Sequence, residues 1–101
     1  MNPDRLNQIL GMLEKNPEDS FLCYAAALEF KKNQKIDSAI DLLEKLLARD
    51  ENYLPAYYQL GKLFEVALEF EKAKSIFLKG KTIAMNQKDM KTFSELEAAM
   101  Q

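Results

Sequence analysis

The chain has no histidine, one cysteine (Cys23), three glycines and three prolines among its 101 residues. Without histidine there is no imidazole acid–base catalyst, no Cys–His nucleophile pair and no zinc site of the usual kinds. One cysteine closes no internal disulfide. Few glycines and prolines disfavour an all-β chain, which needs many tight turns. Gly11, Gly61 and Gly80 stand singly within helical stretches and make no phosphate-cradling loop. Neither a cofactor nor a metal is expected, and catalysis has little support. Met1-Asn2-Pro3-Asp4-Arg5 places no positive run ahead of an apolar stretch, so no secretory signal is expected. The longest apolar runs, such as Tyr24 to Leu28, fall far short of the ~20 residues that span a bilayer. Together with a lone thiol, these features point to a cytoplasmic protein that does not enter a membrane.

What is present is globular in character, with 48% apolar and 30% charged residues. A chain this long makes one domain and buries roughly 60–65% of its unfolded surface, enough to fold without a metal or disulfide. Charge is uneven. Residues 1–71 carry 8 Lys/Arg against 13 Asp/Glu, whereas residues 72–91 carry 6 Lys against Asp89 alone. Lys72, Lys74, Lys79, Lys81, Lys88 and Lys91 are able to attract an acidic partner or a phosphate backbone. A solvated outer helix face is the simpler reading. The segment lacks Arg for bidentate phosphate contacts and lacks interleaved aromatics for base stacking, so nucleic acid is disfavoured.

A period of 34 residues runs through the chain. It aligns Tyr24 with Tyr58, Phe30 with Phe64, Ala39 with Ala73, Lys45 with Lys79 and Asn52 with Asn86. Around these identities large residues match large and small match small: Ala27 with Gly61, Ile36 with Phe70, Leu43 with Phe77. Local signals predict six helices. Asn2-Pro3-Asp4 opens the first, with Asn as its cap, and Leu6, Ile9, Leu10 and Leu13 form its apolar face until Asn16-Pro17. The second runs from about Ser20 to Lys32, before a tight Asn33-Gln34-Lys35 turn. The third runs from about Asp37 to Arg49, with Ile36, Ala39, Ile40, Leu43 and Leu47 inward. Pro55 opens a fourth that reaches about Ala67. The fifth spans about Glu71 to Ile83, and the sixth about Lys88 to Met100, showing Met90, Phe93, Leu96 and Met100. Short connections make such helices antiparallel neighbours.

A helix–turn–helix unit at this period resembles the tetratricopeptide repeat. The second unit is nearest: Tyr57 stands where the family has Trp, followed by Leu60-Gly61, Phe64, Phe70, Ala73, Phe77 and Gly80. In the first unit Ala26-Ala27, Phe30, Ile36, Ala39 and Leu43 take these places, while Cys23 replaces the Trp and Leu46 a small residue. The small positions let helices approach closely, and Phe30, Phe64, Ile36 and Phe70 are expected to fill the space beside them. The resemblance implies an all-α, short right-handed α-solenoid of about six helices. Residues 1–19 would cap repeats at 20–53 and 54–87, and residues 88–101 would close the other end. It further implies a non-catalytic scaffold that holds a peptide or partner protein in a concave groove lined by the first helix of each repeat.

Carried over by position, that groove holds Phe21, Tyr24, Leu28 and Lys31, then Tyr58, Gln59, Lys62 and Glu65. Tyr24 and Tyr58 lead this set, since Tyr combines contact area with a hydrogen-bonding tip; packing between helices is the competing role for all of them. The Lys/Asn carboxylate clamp of some family members is not reproduced, because the matching positions hold Tyr24, Leu28 and Gln59, with Lys62 the only cation among them. An amphipathic or extended peptide suits the groove better. Glu65 and Glu69, one helical turn apart, read as a solvated helix edge, and Cys23 as a buried structural thiol. Homo-oligomerisation through exposed terminal helices, by Met90, Phe93 and Met100, is an alternative, as is an adaptor for acidic surfaces through the Lys-rich segment.

Overall fold

The computed structural model describes residues 3–101 and forms six helices and no strand among them: α1 (Pro3–Lys15), α2 (Ser20–Lys32), α3 (Ile36–Arg49), α4 (Pro55–Val66), α5 (Phe70–Asn86) and α6 (Met90–Ala99). The expected Asn2 cap lies outside the described residues. α1–α3 pack as one unit and α4–α6 as another, divided between Glu51 and Asn52.

In the first unit α2 lies against both α1 and α3. Its core is Ile9, Cys23, Ala26, Ala27, Ala39, Leu43, Leu46 and Leu47, all buried. Apolar residues three and four apart put one stripe of α3 inward, and burying each leucine fully contributes about 1.5–3 kcal/mol. Asp19 starts α2 by accepting the Leu22 N–H at 3.0 Å, and the Ser20 hydroxyl donates to Asp50 at 2.7 Å. The first of these contacts satisfies a backbone donor that the first helical turn leaves open.

The second unit wraps α4 and α6 onto α5. Tyr57 and Phe77 are its largest fully buried side chains, joined by Leu60, Leu63 and Leu96. Gly61 and Gly80 permit this packing. The Phe77 ring occupies the volume where a Cβ of Gly61 would stand, and a Cβ on Gly80 would come within 2.7 Å of Tyr57 Cβ. Phe64 is buried and Phe30 and Ile36 are half-buried, as their matched positions predict. Phe70 departs from its expected filling role and is 61% exposed. It is the first residue of α5, and a helical side chain leans toward the N-terminus, here past the end of the helix where no turn receives it.

Three turns share one design. After α2, α4 and α5 a non-glycine residue takes a left-handed conformation: Gln34 (φ 66°), Leu68 (φ 62°) and Lys88 (φ 59°). Each N–H donates back into the helix: Gln34 to Lys31, Leu68 to Glu65 and Lys88 to Met85, all at 3.0 Å. The following N–H groups of Lys35, Glu69 and Asp89 reach Phe30, Phe64 and Ala84 at 2.8–2.9 Å. This is the Schellman closure, whose left-handed position is usually glycine because other residues place Cβ against the backbone. Gln34→Gly is expected to raise the unfolding free energy by about 0.5–1 kcal/mol, read as an increased urea midpoint at constant slope.

α5 runs to Asn86, one turn beyond the expected end near Ile83. Where the first unit has Asp50 and Glu51, the second has Ala84 and Met85, both strong helix formers. α6 consequently begins at Met90 with Asp89 as its cap, rather than at Lys88. Asp89 accepts the Thr92 N–H at 3.0 Å and the Thr92 hydroxyl at 2.9 Å. The backbone bond first, then the hydroxyl bond, hold its carboxyl below its ordinary pKa. A lowered folded-state pKa stabilises the protein above the unfolded value, and that gain is lost as pH falls through the folded value. Hydrogen-exchange protection in the first turn of α6, relative to the intrinsic rate at each pH, should therefore fall only below the ordinary aspartate range. Asp89→Asn keeps an acceptor and should flatten that dependence.

Candidate functional site

The predicted groove residues fall on α2 and α4, the first helices of the two matched repeats. On α2, Phe21 is 65% exposed, and Tyr24, Leu28 and Lys31 are half-buried. The spacing of these four positions places them on one side of the helix.

On α4, Tyr58, Gln59, Lys62 and Glu65 are all half-buried. Tyr58 rests against Phe77, ring centroids 6.5 Å apart and tilted by 50°, so a core side chain sets its orientation. Lys62 places its Nζ 5.8 Å from the Tyr58 ring centroid and 3.3 Å from the Glu65 carboxylate. Tyr58 and Lys62 then meet Glu95, Ala98 and Ala99 of α6 around a cleft of about 550 Å³. An aromatic face, two small methyl-bearing walls and one charge of each sign line this cleft. The α6 contribution escaped the residue-level reading, although adding the 34-residue period to Glu65 lands on Ala99.

Glu65 and Glu69 do not share a helix edge. Glu65 lies in α4, whereas Glu69 follows the left-handed turn as the cap of α5 and stands 4.0 Å from Lys72. Lys81 is not part of an open basic face either: its ammonium lies 2.7 Å from Glu97 and 5.1 Å from the Phe93 ring centroid, tying α5 to α6. Lys72, Lys74, Lys79, Lys88 and Lys91 are exposed.

Two polar features of the first unit carried no recognisable sequence signal. Glu29, only 6% exposed, takes Arg5 at 3.1 Å and Lys32 at 3.6 Å on one carboxylate oxygen. Paired cations on a buried carboxylate offset its desolvation. Cys23 is buried as expected, and Arg49 Nη2 lies 3.3 Å from its sulfur, while the thiol points at the Pro17 carbonyl at 3.8 Å.

No helix among the described residues is long and apolar enough to cross a membrane. Neither a family model nor a curated protein matches the chain. Solved structures do. A crystal structure of a tetratricopeptide repeat domain protein from Salinibacter ruber is 34% identical, covering 81% of this chain and 91% of that one, with a TM-score of 0.77. A solution structure under the same description is 36% identical over 83% of this chain and 85% of that one, with a TM-score of 0.80. A protein from Bordetella parapertussis has the same fold at 20% identity, with a TM-score of 0.81 over 94% of this chain and 83% of that one. On the period, the helix pairing and this similarity, the chain belongs to the tetratricopeptide repeat family.

Proposed function

We propose that the protein is a non-catalytic, cytoplasmic interaction module that binds an extended or amphipathic segment of a partner protein. The tetratricopeptide fold generally mediates protein–protein interaction, and the observation that carries the reading is the cleft of Tyr58, Lys62, Glu95, Ala98 and Ala99 on α4 and α6. Tyr58 supplies an oriented aromatic anchor, and Lys62 with Glu95 selects a segment carrying charge of both signs.

A pull-down from the source cell's lysate compares wild type with a Tyr24→Ser, Tyr58→Ser double variant whose helicity has been verified by circular dichroism. Capture by wild type and loss in the folded variant is the expected outcome. A partner retained equally by both would refute the groove. Recovery of nothing but the chain itself would favour self-association, for which Met90, 54% exposed at the start of α6, is the supporting feature.

A further inference from the structure

α1 is the least anchored helix of its unit. Among its described residues Ile9 alone is buried, with Leu6, Leu10 and Leu13 half-buried, whereas α2 and α3 bury four residues each. Gly11 stands mid-helix with nothing within 4 Å of the place its Cβ would take, and its φ is not positive. Neither packing nor backbone conformation calls for that glycine. Its effect is to weaken α1, since glycine loses more freedom on ordering than alanine does. α2, by contrast, does not depend on α1 for its own start. Asp19 caps it through the Leu22 N–H, and the Ser20 hydroxyl is held by Asp50, the C-cap of α3.

The Arg5 guanidinium crosses from α1 to the buried Glu29 carboxylate at 3.1 Å. Glu29 also holds Lys32 of its own helix at 3.6 Å, so the departure of α1 does not strand the carboxylate without a cation. What α1 covers is defined as well. Leu10 and Leu13 line a cleft of about 360 Å³ together with Leu42 of α3, and Cys23, only 4% exposed, lines it from α2. We infer that α1 is a releasable strap, which swings away on the linker of residues 16–19 while α2 and α3 stay paired, and whose release opens Cys23 and Glu29 to solvent. Segments with few buried apolar side chains open at a fraction of the free energy that unfolds the whole protein. The release does not depend on anything binding in the Tyr58 cleft.

Cys23 is the chain's one thiol and reports the opening. The full chain is mixed with excess 4,4′-dithiodipyridine, a neutral thiol reagent read by absorbance, at urea concentrations well below the unfolding midpoint. The logarithm of the labelling rate should rise with urea at less than half the slope of global unfolding, because release exposes little surface beyond one helix. Gly11→Ala should slow labelling by about two- to fivefold, and Arg5→Ala should speed it by about fivefold or more. Leu46→Ala weakens the α3 core, and its rate should match wild type within about twofold. A urea slope equal to that of global unfolding would overturn the proposal, and so would labelling of Leu46→Ala accelerated in proportion to its lost stability. Either result would mean that the thiol opens only with the whole unit. Unchanged rates in both Gly11→Ala and Arg5→Ala would overturn it too, because α1 would not be the cover. Wild type labelled as fast as the fully denatured chain would show that the thiol is not covered at all.

Discussion

Gly61→Ala is expected to lower the unfolding free energy by about 3 kcal/mol, the upper end of the usual cost of overpacking a core. Alanine is the better helix former by about 1 kcal/mol, so local propensity alone points the other way. Packing wins because the Phe77 ring fills the space the new methyl needs, and Phe77 is itself only 1% exposed, with no open side to retreat into. Gly11→Ala provides the contrast. Nothing stands near a Cβ at that position of α1, so the substitution should stabilise by about 0.5–1 kcal/mol. Urea unfolding of both variants reads the sign directly. Adding Phe77→Leu to Gly61→Ala should recover part of the loss, and strict additivity of the two would show that the ring is not the obstacle.

Leu46→Ala carries the other large effect. By resemblance this position of α3 belongs to a small residue, so alanine would restore the family pattern. In the first unit, however, Leu46 is 0% exposed and forms part of the core with Leu43 and Leu47. Its truncation removes buried methyl groups and leaves a cavity, at an expected cost of about 3 kcal/mol. A denaturation midpoint unchanged or raised in Leu46→Ala would mean that the unit tolerates the family's smaller residue by closing up.

The fold was legible in the sequence because its repeat signal is written by volume. Ala27, Ala39, Gly61, Ala73 and Gly80 could be small only where helices touch, and all are buried. Breaks at Asn16-Pro17 and Pro55 marked helix boundaries for a chemical reason, since proline limits the residue before it and lacks a donor. The turns were less legible. Asn33-Gln34-Lys35 is recognisable by its polarity, but Ala67-Leu68-Glu69 carries no glycine or proline, so its break is expected from the repeat while its left-handed Leu68 is not. That turn takes Glu69 off the helix edge it was expected to share with Glu65, and Phe70, first on α5, lies outside the core.

The candidate site was partly legible. Periodicity placed Tyr58, Lys62 and Glu65 on one helix, and they do lie close together through Lys62. Glu95, Ala98 and Ala99 come to Tyr58 from α6, where a shift of 34 residues from α4 finds no identities. Arg5 and Glu29, and likewise Cys23 and Arg49, stand more than 20 residues apart in the chain. No periodicity encodes pairs of that kind.

The most direct measurement of the binding reading places a photo-crosslinking phenylalanine analogue at Tyr58 and, separately, at exposed Lys74 on α5, in cells of the source organism. A discrete crosslinked partner from position 58 and none from position 74 is expected if the α4/α6 cleft holds the ligand. Crosslinks from position 74 with none from position 58, in proteins of equal helicity, would contradict it.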